Sequence, residues 1–118
     1  MRQLVEGICS SFGVSAEVKY ETTCPVTLNQ PKQAEAATKA AITLLGEDKC
    51  NGDIDPRPFS EDFSIMSENT PGCFVLMGNG TLGSYGRPLH SADYDFNDEL
   101  LVKGSSYWAE LAEQQLKL

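Results

Sequence analysis

Pro71-Gly72-Cys73-Phe74-Val75-Leu76-Met77-Gly78 is the stretch on which the fold reading turns. Its centre, Cys73 to Met77, is an unbroken apolar run fenced by turn formers. Alternation would describe a strand with one wet face, whereas a continuous run describes a strand covered on both faces by helices. Helical patterns do flank it on either side. After it, Asn97 is placed to cap a final helix from Asp98 to about Leu116, with Leu101, Gly104, Trp108, Leu111 and Ala112 as its buried face. Lys117 then lies near the negative end of that helix.

Upstream, Pro31 to Leu45 reads as a helix with proline at its first position and Gly46 as its stop. Its stripe of Ala34, Ala37, Ala41, Leu44 and Leu45 suits close packing against a sheet. Ser60-Glu61-Asp62 reads as the start of a short helix to about Glu68, with Ser60 as N-cap and two acids in the first turn. A sharper reading of the same turn is that its N–H groups face an anionic part of a ligand. Residues 2–12 form a first helix through Leu4, Val5, Ile8 and Phe12, stopped by Gly13. Residues 15–21 alternate, with Ala16, Val18 and Tyr20 on one side and Glu17, Lys19 and Glu21 on the other, which is a half-buried strand. The expected order is α, β, α, α, β, α. Two strands are too few for a self-sufficient sheet, so strands that should pair with these are missing from the chain.

Composition narrows the partners. At 118 residues the chain is about one small domain, with 41% apolar and 22% charged residues, ordinary for a globular protein. A net charge of −8 without a basic cluster argues against nucleic acid and anionic membrane as partners. The apolar run at 73–77 is far too short to span a bilayer, and residues 1–6 lack the apolar core of a signal peptide. Cys9, Cys24, Cys50 and Cys73 are scattered without a C-x-x-C pair and read as reduced thiols, several of them buried. The expected compartment is the cytoplasm. Asn79-Gly80-Thr81 matches a glycosylation acceptor only by chance in such a chain. Gly78-x-Gly80-x-x-Gly83 follows the strand, as a dinucleotide fingerprint would, but Arg87-Pro88 comes where a helix would have to start. The glycines read instead as a loop that lets backbone pass close to a neighbour.

The residues best suited to chemistry lie in Leu89-His90-Ser91-Ala92-Asp93-Tyr94-Asp95-Phe96-Asn97-Asp98-Glu99, which holds the sole histidine of the chain. Imidazole serves both as metal ligand and as proton carrier. On the residues alone the structural reading stands first: a partly buried histidine bonded to Asp93 or Asp95, since one imidazole makes no metal site.

Taken together and in order, Ser60-Glu61-Asp62-Phe63-Ser64, Pro71-Gly72-Cys73-Phe74 with Gly78, and Leu89-His90-Ser91-x-x-Tyr94-Asp95-Phe96-Asn97-Asp98-Glu99 resemble the C-terminal part of the metal-dependent amidohydrolases. These include hippurate hydrolase, N-acyl-amino-acid amidohydrolases, aminoacylase and carboxypeptidase G. Cys24-Pro25-Val26-Thr27-Leu28-Asn29 resembles the return from that family's lid into its catalytic domain. Phe59 stands where the family often has glycine, and Ala92 where it often has proline. The resemblance implies a mixed α/β fragment: residues 1–21 as the last helix and strand of a ferredoxin-like lid domain, and 22–118 as the C-terminal part of a zinc-peptidase-like catalytic domain. It implies that His90 is a metal ligand and that Ser60 and Glu61 line the substrate cleft. It further implies a divalent metal, zinc or manganese, that activates water against the amide of a small N-acyl-amino-acid or peptide substrate, in an enzyme that is a homo-oligomer. The family's other ligands, a Cys-x-His pair, a glutamate beside the glutamate base, and a further histidine, have no counterpart here. The chain alone is therefore expected to be inactive and to bind no metal. A non-catalytic module that self-associates through unpaired strand edges is the alternative reading.

Overall fold

Alanine decides where this chain packs. The computed structural model describes residues 1–116, and its centre is the contact between α2 (Pro31–Leu45) and α4 (Leu100–Leu116). Ala40 is 0% exposed and Ala37 6%. Methyl-sized side chains there let the α4 backbone come near enough for Tyr107, 4% exposed, to lie against α2. Its hydroxyl donates to the Ala37 carbonyl at 3.5 Å. An aromatic ring of this size removes roughly 150–250 Å2 from water, so Tyr107 is the largest single contributor to the interface. Farther along, Gln114 Nε2 donates to Thr43 Oγ1 at 3.3 Å and to Glu110 Oε1 at 2.6 Å.

The helix boundaries follow their local signals. Pro31 opens α2 behind an extended Gln30, and Gly46 closes it. Asn97 Oδ1 accepts the Glu99 N–H at 3.1 Å and its carbonyl accepts the Leu100 N–H at 2.9 Å, so the expected Asn97 bond forms in the turn leading into α4, which begins at Leu100 rather than Asp98. Helix α1 (Arg2–Ser11) ends where Gly13, at φ 67°, turns left-handed and Val14 N–H reaches back to the Cys9 carbonyl at 3.0 Å. The predicted N-cap at Ser60 is not made. Helix α3 (Phe63–Ser67) begins later, with Asp62 before it and no side-chain cap. Lys117 lies outside the described residues.

The face of α4 is also corrected. Tyr107 is buried and Trp108, predicted to be inside, is 63% exposed, as is Leu101 at 59%. This helix carries two apolar stripes one residue apart. Leu100, Tyr107 and Leu111 meet α2 or the grooves beside it, Trp108 lies edge-on to Tyr107 at the open rim of one of those grooves, and Leu101 faces outward.

The second correction concerns the sheet. Among the described residues there is no strand, and the chain is helical with extended connections. Residues 15–21 and 73–77 run extended, as their patterns require, but neither has a backbone partner that would make it a ladder. Only the start of the second is tied down. Gln30 N–H donates to the Gly72 carbonyl at 3.0 Å, while the Asn29 carboxamide donates to the Phe74 carbonyl at 3.0 Å and accepts its N–H at 2.7 Å. That side chain performs for Phe74 what a neighbouring strand would. Val75, Leu76 and Met77 remain 44–49% exposed instead of doubly covered. Between them, α2 and α4 lies a groove of about 500 Å3, lined in part by Ala34, Ala41, Val75 and Met77. The alanine stripe expected to meet a sheet thus faces this opening.

Much surface is left uncovered. Helix α1 touches no other helix, and Leu4, Ile8 and Phe12 along it are exposed. The radius of gyration is 20.1 Å, against roughly 13–14 Å for a compact chain of this length. The accessible surface is 9837 Å2, against roughly 6,300 Å2 for a compact monomer of this mass. No helix among the described residues is long and apolar enough to cross a membrane. All four cysteines are free and half-buried, so none is sequestered as fully as predicted.

If α2–α4 packing is the stabilising contact, Ala40→Leu should cost about 1–3 kcal/mol by overpacking, whereas Trp108→Ser should change stability by less than about 0.5 kcal/mol. Urea unfolding followed by far-UV circular dichroism reads both, and a larger loss from Trp108→Ser would reverse the face assignment. The same core also has a pH signature. Burial raises the Cys73 thiol above its ordinary 9.0. It raises Tyr107 above 10.0 as well, with the nearby Cys73 thiolate adding to the shift. The folded chain holds both protons longer than the unfolded chain. Stability is therefore unaffected below about pH 9 and falls as pH rises beyond it. The urea midpoint should begin to drop as pH rises past about 9 and keep falling beyond pH 10, less so in Cys73→Ala.

Candidate functional site

Two surface features carry the candidate residues. The first is the turn before α3. Phe74 anchors it, with its ring centroid 5.6 Å from that of Phe63 and 6.4 Å from that of Phe59. Gly72 leaves room for this cluster: a Cβ there would sit 2.7 Å from Phe63 Cζ and would push that ring aside. Phe59 and Phe63 both pack on Phe74, so the rings fix the two ends of the Ser60-Glu61-Asp62 turn between them. Ser60 is exposed, and Glu61 is half-buried. Glu61 Oε1 accepts the Asp62 N–H at 3.1 Å, and Ser64 Oγ donates to the Glu61 carbonyl at 2.6 Å. One of the amides that could have met an anion is thus already occupied by the chain's own carboxylate. Phe59, the departure from the usual glycine, has a clear role as the outer ring of the cluster.

The second feature is the histidine loop. Ser91 N–H donates to the Pro88 carbonyl at 3.1 Å, which closes a turn with Leu89 and His90 at its centre. His90 has φ 70°, the only positive φ outside glycine among the described residues. Position three of such a turn normally falls to glycine or asparagine, and a side chain there costs about 1–2 kcal/mol. His90 is exposed, contrary to the reading of a partly buried histidine bonded to Asp93 or Asp95. Asp93 has another partner: its Oδ2 meets Arg87 Nε at 2.8 Å across the loop. Both side chains of that pair are more than half exposed, so solvent and salt screen it heavily.

Asn79, dismissed in the sequence as a chance glycosylation acceptor, lies at the foot of this loop. Its Nδ2 donates to the carbonyls of Tyr85 at 3.1 Å and Asp95 at 2.8 Å, and its Oδ1 accepts the Asn97 N–H at 2.9 Å. Asn97 Nδ2 donates in return to the Asn79 carbonyl at 3.3 Å. The neighbour to which the glycine loop comes close is the loop itself. A Cβ on Gly80 would sit 3.0 Å from Tyr85 Cβ, and one on Gly86 would sit 2.6 Å from the Thr81 carbonyl. A helical turn at Gly83–Gly86 followed by extended Arg87 replaces the helix N-terminus that a dinucleotide would need. No sequence signal pointed to Asn79, because its partners are backbone groups far along the chain.

The donor set does not make a metal centre. Among the described residues no three His, Cys, Asp or Glu side chains converge. The single imidazole is exposed, and Asp93 on its loop is engaged by Arg87. No hydrogen bond or ion pair among the described residues joins His90 to Ser60 or Glu61. The chain brings each feature into shape separately.

A lone exposed imidazole on a clamped loop and an uncovered apolar groove between α2 and α4 amount to part of a site rather than a self-contained catalytic centre. Comparison with known proteins agrees: residues 3–114 match the family described as Peptidase family M20/M25/M40, and the chain belongs to it. It is 30% identical over 115 residues to the hippurate hydrolase of Campylobacter jejuni, covering 98% of this chain and 29% of that protein. It is 35% identical over 113 residues to the N-acetylcysteine deacetylase of Bacillus subtilis, covering 95% and 28%. Thermostable carboxypeptidase 2 of Saccharolobus solfataricus is 30% identical over 115 residues, covering 95% and 28%. The chain thus spans less than a third of the length of the curated relatives it matches. No solved structure matches it.

Proposed function

We propose that this chain is the C-terminal part of a metal-dependent amidohydrolase acting on N-acyl-amino-acid or peptide amides of hippurate type. The observation that carries the reading is His90: a lone imidazole displayed on an exposed, backbone-strained loop has no structural use here, and strain of this kind gathers at functional positions. In the whole enzyme His90 would supply one ligand to a divalent ion, zinc or manganese, whose chemistry is to polarise the amide and activate water. Ser60 and Glu61 would line the substrate cleft. Residues 1–21 would be the end of a ferredoxin-like lid and 22–118 the end of an α/β catalytic domain. Support comes from α1, which touches no other helix, and from extended segments whose apolar patterns demand sheet partners. By itself the chain would be inactive, since it lacks the remaining ligands and the glutamate base.

A chimera tests this reading. When the chain replaces the matching 115 residues of the Campylobacter hippurate hydrolase, the hybrid should hydrolyse hippurate on addition of a divalent metal. His90→Ala in that hybrid should lower kcat/KM by more than about 100-fold. Retention of activity in His90→Ala would remove the ligand assignment. The 118-residue chain alone should show no metal-stimulated hydrolysis, and measurable turnover would overturn its proposed inactivity.

We further propose that the isolated chain self-associates. The surface in excess of a compact monomer is larger than the roughly 1,600 Å2 that a stable interface buries, and the backbone of Val75 to Met77 is open for pairing. Light scattering should give a dimer or larger species, and a clean monomer at working concentration would count against it.

A further inference from the structure

We infer that Asn79 is the positioning residue for His90, closing the loop between Tyr85 and Asp95 at its base and so fixing the backbone that aims the imidazole. The inference rests on the reading of His90 as a functional group. The geometry is specific. The two carbonyls that Asn79 Nδ2 ties together, those of Tyr85 and Asp95, stand equally far from His90 along the chain on either side. Oδ1 of the same carboxamide holds Asn97 N–H, and thereby the turn that leads into α4. The loop base is thus fastened to the rigid part of the fold by one side chain. Only a carboxamide offers two donors and an acceptor at this reach; aspartate would keep the acceptor and lose both donors.

His90 needs such support. A left-handed non-glycine residue persists only where its surroundings over-determine it. The bond that closes its own turn, Ser91 N–H to the Pro88 carbonyl, is local and does not hold the turn against the fold. The Arg87–Asp93 pair spans the loop but is solvent-screened. Asn79, half-buried and bonded at three points, is the strap that remains.

The test compares isotope-labelled wild type, Asn79→Asp and Asn79→Ala by nuclear magnetic resonance. In wild type, the His90 Cα and Cβ shifts should carry the left-handed signature. Both variants should lose it, and the amides of Arg87, Ser91 and Tyr94 should exchange at least about tenfold faster while those of α2 and α4 stay within about twofold. Asn79→Asp should keep Asn97 N–H protected and Asn79→Ala should not; if Asn79→Ala fails to fold, Asn79→Asp decides. An unchanged His90 signature in the variants overturns the inference. So does an equal rise in exchange across α2 and α4, which would make Asn79 a general stabiliser. Failure of the His90 assignment itself would show separately, as activity retained by His90→Ala in the chimera while the loop measurements still hold.

Discussion

Everything described depends on the approach of α4 to α2 across Ala37 and Ala40. Tyr107 is admitted to the interior only because those two positions carry methyl groups. Through α4, this contact also sets where the histidine loop stands. Asn97 closes the turn into α4, Asn79 grips Asn97, and the loop hangs from Asn79. On the other side, α2 begins directly after Gln30, whose amide and whose neighbour Asn29 hold the start of the 72–77 segment, and Phe74 of that segment organises the Ser60–Glu61 turn. Because Tyr107 meets Ala37 and Gln114 meets Thr43, the two helices run parallel, and both candidate features are fastened at the same end of the pair, where α2 and α4 begin. Neither depends on a side-chain contact with the other.

The elements that were legible in the sequence are those whose signals are local. Pro31 and Gly46 bound α2, Asn97 sets the turn that leads into α4, and Gly13 ends α1, because each acts on backbone groups within a few residues of itself. The extended segments were legible as conformation but not as sheet. A strand exists only where a partner supplies its hydrogen bonds, and the pattern of Cys73 to Met77 reports a partner without containing one. The α4 face was misjudged for a different reason. Leu101 and Trp108 are as apolar as Leu100 and Tyr107, and only the position of α2 chooses between two adjacent stripes.

The site divides the same way. His90 stood out by being alone, and the family resemblance in its flanking residues was confirmed across residues 3–114. What the sequence could not show was how the histidine is held. Asn79 sits in a stretch whose letters suggest glycosylation or nucleotide binding, and its function lies in bonds to Tyr85, Asp95 and Asn97. The Ser60 cap failed because Phe59 and Phe63 are drawn to Phe74, which moves the first helical turn past the residues that local preference would have chosen.

The Asn29 carboxamide on Phe74 has one more outcome. Along an extended chain, the N–H and C=O of alternate residues face the same side. With both groups of Phe74 already engaged on that side, the next free pair there belongs to Leu76. Any neighbouring strand arriving at that border must start its ladder at Leu76 and cannot slide back. A strand that paired there would thus have one end of its register fixed by a single side chain.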